Sequence, residues 1–299
     1  MQIVQLSKLV DMDNPYRVME EVKTIIRDIY GDYDFNIIDQ VFSDTLDLFM
    51  GRYPGYKACN CRYHDLIHTT DTLLAMARLI HGAVLNGVKF STKDVDLGIS
   101  SALLHDTGYI QELGDDEGTG AKYTLVHIDR SIEFSMGYLP KLGFSERDFR
   151  YVESILRCTG LNVRIEEVEF FSKEHELLGK MLGTADLMGQ MASRTYLEKL
   201  PYLYSEFKEG KVPGYESEFD LIKKTPDFYR WILKRFKEEF DSVYRFMKDH
   251  FEKRWGIKDD LYMITIEKNI NYLEYIIKEH PKDYRRYLRR RLDRVVLKK

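Results

Sequence analysis

The sequence predicts an all-α protein, and three observations carry that prediction. Apolar residues recur at helical intervals in most of the long segments between turn signals. Only seven prolines occur in 299 residues, so few points force a break. No segment shows sustained alternation of apolar and polar residues between hairpin signals. The stretch "LNVRIEEVEFF" (161–171) is the one local candidate for an extended piece. No motif repeats at a fixed period. The expected architecture is a multi-helix bundle with additional C-terminal helices packed against the same body.

The elements follow in order. "YRVMEEVKTIIRDIYG" (16–31) has helical spacing and a glycine stop, and "FNIIDQVFSDTLDLFMG" (35–51) repeats the design. "YPGYKACN" (53–60) breaks the pattern. Residues 63–84 then read as one helix. "STKDVDLGISSALLHDTG" (91–108) opens with a Ser/Thr cap and an acidic first turn and ends at Gly108. The Gly- and Asp-rich stretch that follows, with Asp115–Gly120 at its centre, suits either a mobile lid or an exposed connection. Helical patterns resume at 123–139, 145–160 and 172–191. The aromatic stretch 193–225 is interrupted by Pro201 and Pro213, and two long helices are expected near 226–254 and 259–279. In the basic tail "KDYRRYLRRRLDRVVLKK" (282–299), Tyr284, Tyr287, Leu288 and Leu292 predict a docked helix with arginines facing water or acidic patches. A nucleic-acid or membrane-surface arm is the alternative for that tail, and its arginines make a second copy of the chain a candidate partner.

Composition narrows the classes. Hydrophobic residues make up 44% and charged residues 31%, an ordinary globular balance. A net charge of −4 gives no global pull toward nucleic acid. No run of eighteen apolar residues exists, so no membrane span is expected, and the first residues meet acidic side chains too early for a signal peptide. A cytoplasmic location is the default expectation. The three cysteines are odd in number, and Cys59-x-Cys61 lacks the spacing of a zinc knuckle, so reduced thiols are expected.

Three short stretches depart from ordinary amphipathic pattern. "CRYHDLIHTTDT" (61–72) places His64 and His68 four residues apart, on one face of the expected helix. "ALLHDTGY" (102–109) sets His105 and Asp106 side by side at the end of a very apolar helix, where both are costly to bury unless satisfied. A divalent metal would satisfy both, since imidazole and carboxylate suit zinc, manganese, iron, nickel or cobalt. "LLGKMLGTADLMGQM" (177–191) carries Asp186 among Leu, Met, Ala and Gly, either as a cap for a neighbour or as a further ligand.

The order His68, His105-Asp106, Asp186 resembles the H…HD…D order of the HD superfamily of metal-dependent phosphohydrolases. Locally, "YHDLIHTTDT" is similar to the Y-H-N-x-x-H-A-x-D-V segment of class I cyclic-nucleotide phosphodiesterases, and "TADL" to the segment bearing their last metal ligand. The resemblance covers roughly residues 50–195. It implies an HD-domain-like core at 51–200, N-terminal helices at 1–50 packed on it, and a C-terminal helical extension at 201–299. His68, His105, Asp106 and Asp186 would hold the first of one or two divalent ions (Mn, Fe, Ni, Zn, Co or Mg), with Asp106 bridging to a second. A metal-activated water would attack phosphorus, and His64 matches the general acid. Asp71 matches an aspartate that orients a histidine ring. His127 lies where many HD proteins supply another histidine, to metal or to a phosphate oxygen.

The departures bear on substrate. Tyr109 stands where the phosphodiesterase pattern has a histidine, Asp65 replaces an amide, and no glutamine-glycine motif follows Asp186. Nor does "HDTGY" match the HDxGK of enzymes that cleave cyclic dinucleotides. Arg157 and Cys158 occupy a region where some HD proteins place further histidines. Arg157, Lys122 and Arg130 are candidate phosphate contacts. Tyr202, Tyr204 and Phe207 could stack on a base or simply pack. The leading expectation is a phosphodiesterase acting on a small, nucleotide-like phosphoester. The alternatives are a nucleotidase-like phosphomonoesterase, a metal- and nucleotide-binding sensor without turnover, and a structural interaction protein.

Overall fold

Helical periodicity without strand signals leads to a structure built from helices alone. The computed structural model describes residues 4–289. Its α-helices are α1 (Leu6–Leu9), α2 (Pro15–Tyr30), α3 (Asn36–Phe49), α4 (Leu66–Leu85), α5 (Thr92–Leu104), α6 (His127–Tyr138), α7 (Glu146–Arg157), α8 (Lys173–Ala192), α9 (Tyr196–Glu209), α10 (Glu218–Glu238), α11 (Phe246–Trp255), α12 (Leu261–Glu279) and α13 (Tyr284–Leu288). Among the described residues no strand forms, and one isolated bridge joins Tyr56 to Glu112. The protein is all-α. No helix among these residues is long and apolar enough to cross a membrane.

Local chemistry sets most of the helix starts. Ser91 with Asp94 and Ser145 with Asp148 form reciprocal capping boxes, and the Ser172 hydroxyl accepts from the His175 amide. The core is organised around α4. Every residue from His68 to Ala83 is buried, including Thr69, Thr70, Asp71, Thr72, Arg78 and His81. A helix buried on all sides needs neighbours on all sides, and α2, α5, α8 and α11 supply them. α8 is almost as fully buried and crosses α4. The two helices that carry His68 and Asp186 are therefore the inner pair of the bundle.

Several expectations need correction. The helix expected over 63–84 starts at Leu66, because the Asp65 carboxylate accepts from the His68 amide and ends the helix there as its N-cap. His64 consequently lies in the preceding turn and shares no helical face with His68. Residues 161–171 form no strand and contain only a short 3-10 turn at Ile165–Glu167. The expected helix over 226–254 is two helices. At Asp241 and Ser242 the backbone enters the left-handed region (φ 49° and 58°), and the turn buries Phe240 and Val243 on either side. The boundary drawn between residues 200 and 201 falls inside α9. In the tail, Leu288 is buried, the Tyr284 hydroxyl donates to Glu218, and Arg285 pairs with the same carboxylate. Leu292 and the basic residues from Arg290 onward lie outside the described residues.

Candidate metal centre

His105 is the C-cap of α5, so the helix ends where the polar pair begins. The chain then turns through a short 3-10 element at Thr107–Tyr109. Gly108 allows α6 to start against this turn. A Cβ at Gly108 would lie 1.9 Å from the His127 carbonyl oxygen, so a side chain there would push His127 away. α4 brings His68, α8 brings Asp186, and the ends of α5 and α6 bring His105, Asp106 and His127.

The ligand atoms converge. His68 Nε2 lies 3.2 Å from Asp106 Oδ2 and 3.1 Å from Asp186 Oδ1. His105 Nε2 lies 3.2 Å from Asp106 Oδ2, 3.7 Å from Asp186 Oδ1 and 3.3 Å from His68 Nε2. Ligand atoms of His68, His105 and Asp106 all fall within 4.8 Å of one another, a cluster that could hold a metal ion. All four residues are buried.

Hydrogen-bond chemistry supports a cation here. His105 Nδ1–H donates to the Ala102 carbonyl at 2.9 Å, so the neutral ring carries its lone pair on Nε2, facing the cluster. Asp106 Oδ2 is close to two histidine nitrogens yet has hydrogen-bond alignment with neither. Two imidazole Nε2 atoms and two carboxylates thus face one another away from water. Protons or a metal ion must lie among them. Without metal, burial pushes the His68 ring toward neutrality, but Asp106 and Asp186 outweigh it and lift its pKa to about 10. His105 is raised by the same carboxylates against the same burial. Burial opposes ionisation of Asp106 and Asp186, and the facing histidines overcome it, holding Asp106 well below the carboxylate range and Asp186 below its usual value.

The second oxygen of Asp106 faces another histidine. His127 Nε2 is 4.0 Å from Asp106 Oδ1, while its Nδ1–H donates to the Thr124 carbonyl at 2.7 Å. Burial lowers the His127 pKa against the pull of Asp106, which favours the neutral ring with its lone pair toward the carboxylate. Asp106 therefore offers one oxygen to each side, the disposition of a bridging ligand.

His64 stands beside this cluster. Its ring centroid is 5.8 Å from that of His68, and its Nδ1–H donates to Glu206 Oε2 at 2.7 Å. Glu206 is buried, and its Oε1 accepts from the amides of Arg62 and Tyr63 at 2.7 Å each. Burial opposes ionisation of Glu206, but His64 first and then the two amides outweigh it and hold its pKa below the usual value. Tyr109 stacks on both His64 and His127, at 4.4 and 4.5 Å between ring centroids, and the two histidine rings lie 6.3 Å from each other. Asp71 is buried, and it lines a small internal pocket with His68. No direct hydrogen bond joins Asp71 Oδ1 to His68 Nδ1.

Three expected phosphate contacts are not free for that role. Lys122 is paired with Asp115 and donates to the Glu117 carbonyl, away from the cavity wall. Arg130 is spent on the carbonyls of Gly108 and Ile110 and lies over the Tyr123 ring. Arg157 reaches the cavity wall but is paired with Glu153 and Asp129. The Asp115–Gly120 loop is folded onto its own lysines and tyrosine. Asp115 takes Lys122 and Tyr123, Asp116 takes Lys57, and Thr119 bonds Glu209. None of its residues lines the cavity in front of the metal cluster.

Two residues beside the cluster were not expected there from the sequence. Glu206 sits in "SEFKEG", which reads as an exposed helix end, and only the fold brings it to His64. Gln190 accepts from the Tyr63 hydroxyl at 2.7 Å and donates to Asp186 Oδ1 at 3.3 Å. Its position four residues after Asp186 on an apolar helix was the available signal. Tyr202 stacks under Arg62, Tyr204 donates to the Glu216 carbonyl, and Phe207 reaches the cavity.

A family model described as Npun_R2479-like matches residues 112–245, somewhat under half of the chain. The match includes His127, Asp186 and Glu206 and stops short of His64, His68, His105 and Asp106. No curated protein and no solved structure matches the chain.

Proposed function

We propose that this protein is a metal-dependent phosphohydrolase of the HD type that cleaves a small phosphoester, with His64 as general acid. The observation that carries the reading is the placement of a Glu206-held imidazole beside a buried His/His/Asp/Asp cluster whose nitrogen and oxygen atoms converge. His68, His105, Asp106 and Asp186 would hold one ion, and Asp106 with His127 could serve a second. When bound, the metal supplies Lewis-acid charge to the phosphoryl oxygens and a water of lowered pKa.

The remaining work belongs to the protein side chains. Glu206 accepts from Nδ1–H of His64, which leaves Nε2 as the nitrogen that can carry the transferable proton. A leaving oxygen on the cavity wall beside His64 would take that proton as its bond to phosphorus breaks. Tyr109 keeps the His64 ring from tilting, and Gln190 fixes the Asp186 carboxylate. A pure metal binder has no need of a proton donor held in this way, which favours turnover over sensing.

The test is metal content by elemental mass spectrometry together with hydrolysis of bis(p-nitrophenyl) phosphate and p-nitrophenyl phosphate after loading with Mn, Fe, Ni, Zn or Co. One to two ions per chain with metal-dependent turnover supports the reading. Metal without turnover on any phosphoester supports the sensor, and no uptake of any metal overturns both.

A further inference from the structure

The cavity in front of the cluster extends well past it. It has a volume of about 310 Å³ and starts at His64, Asp106, Tyr109, His127 and Asp186. From there it runs between α8, α9 and α10, where Leu187, Leu200, Leu203, Phe207, Leu221 and Phe228 form its wall. That size falls within the usual range for small-molecule sites, roughly 300–1,000 Å³.

The polar side chains of this chamber are mostly committed elsewhere. The Gln190 amide is used by Tyr63 and Asp186. Thr159 and Thr225 donate to the carbonyls of Leu156 and Leu221. Lys224 is held by Asp220 and the Gly214 carbonyl, and Arg157 by Glu153 and Asp129. What remains are the phenols of Tyr196 and Tyr215 and the exposed Asn162 at the rim. A nucleobase carries several donors and acceptors that lose water on entry and need partners. Apart from Asn162 at the solvent-facing rim, this wall holds no uncommitted side-chain amide, carboxylate or cation to meet them. An apolar group needs none.

We infer that the substrate is a phosphoester of an apolar alcohol, its phosphate at the metal cluster and its hydrocarbon group in the α8–α9–α10 chamber. The inference rests on the phosphohydrolase reading and replaces the nucleotide-like substrate with an amphiphilic one. The hydrocarbon is held by desolvation, so affinity scales with chain length until the chamber is full. The polar end sets orientation, and the length of the chamber sets selectivity.

Alkylphosphonates resist hydrolysis and isolate binding from turnover. Calorimetric titration of the manganese-loaded protein with ethyl-, butyl-, hexyl- and octylphosphonate should show affinity rising about threefold to fourfold per methylene before levelling off. Adenosine monophosphate should bind more weakly than octylphosphonate. Leu203→Gln should lower the octyl-to-ethyl affinity ratio by about tenfold or more, and Val212→Trp should make the rise level off at a shorter chain. A flat series, or adenosine monophosphate binding more tightly than every alkyl probe, overturns the inference in favour of a nucleotide. Octanol binding to Asp106→Ala separates the two readings. Octanol retained while all phosphonates are lost supports both the chamber and the metal site. Octanol bound by neither wild type nor variant overturns the chamber even where phosphoester turnover is found.

Discussion

Helix α4 carries two buried histidines with opposite surroundings. His68, near its N-terminus, faces Asp106, Asp186 and His105. His81, three to four turns later, has one carboxylate partner, Asp28, at 3.1 Å from Nε2, and its Nδ1 lies 2.9 Å from Nδ1 of His250 on α11. In the first cluster two buried carboxylates outweigh desolvation, and the rings are driven toward the charged form. In the second, burial wins, Arg78 and Arg254 add positive charge, and His250 is pushed well below its ordinary pKa and His81 below it. His81 Nε2–H then donates to Asp28, and its Nδ1 accepts from His250 Nδ1–H, a neutral strut between α2, α4 and α11. Burial alone does not make a metal site. The number of carboxylates facing the imidazoles decides whether a cation is drawn in or kept out.

Breaking the comparison at its strongest point means removing Asp106, the carboxylate that faces His68, His105 and His127. Asp106→Ala should reduce metal content from one or two ions per chain to none and take phosphoester turnover below detection, read by elemental mass spectrometry and a nitrophenyl assay. His250→Phe, in the neutral cluster, should leave metal content as in wild type. Equal metal loss in both variants would erase the distinction between the clusters.

The proton donor gives the next largest effect. In His64→Ala, metal should stay while turnover of an alkyl phosphoester falls about a hundredfold or more, with a smaller fall for a nitrophenyl ester whose leaving group needs no proton. Comparable loss on both substrates would remove His64 from the acid role. Glu206→Gln cannot accept from His64 and from two backbone amides in the same way, so turnover should drop about tenfold to a hundredfold with metal retained.

The smallest effect sharpens the contrast through pH. His81 and His250 have folded pKa values below the unfolded value, so the unfolded chain binds more protons as pH falls. Their contribution to stability is full above about pH 6.5 and is lost progressively below it. Thermal melts of metal-free protein at pH 7.5 and 5.5 should show that His250→Phe loses less stability, or gains more, on acidification than wild type, because the opposing effect of the raised His68 and His105 pKa values is common to both. The same change in wild type and variant would exclude the strut as a contributor.

Much of the fold was legible because its signals are local. Ser91, Ser145 and Ser172 stand where helices begin, each three residues before a side chain or amide that completes the cap. The same reasoning was available for Asp65 but gave way to the histidine spacing, so α4 was started too early and His64 was put on the wrong element. His105, Asp106 and Asp186 stood out because polar residues in very apolar helices demand a partner, and that demand is visible in one dimension.

Who supplies the partner is a different matter. Glu206 lies 142 positions from His64, in a charged segment like many on the surface, and only the packing of α9 beside the 61–65 turn brings it there. Lys122 and Arg130 look like anion contacts until the loop and the Gly108 turn claim them. The sequence by itself determined the helices, their caps and the residues that could not be buried alone, because each follows from propensity and desolvation within a few turns. The tertiary structure decided which carboxylate meets which imidazole and what lines the cavity, because those energies exist only once distant segments share the same dry space.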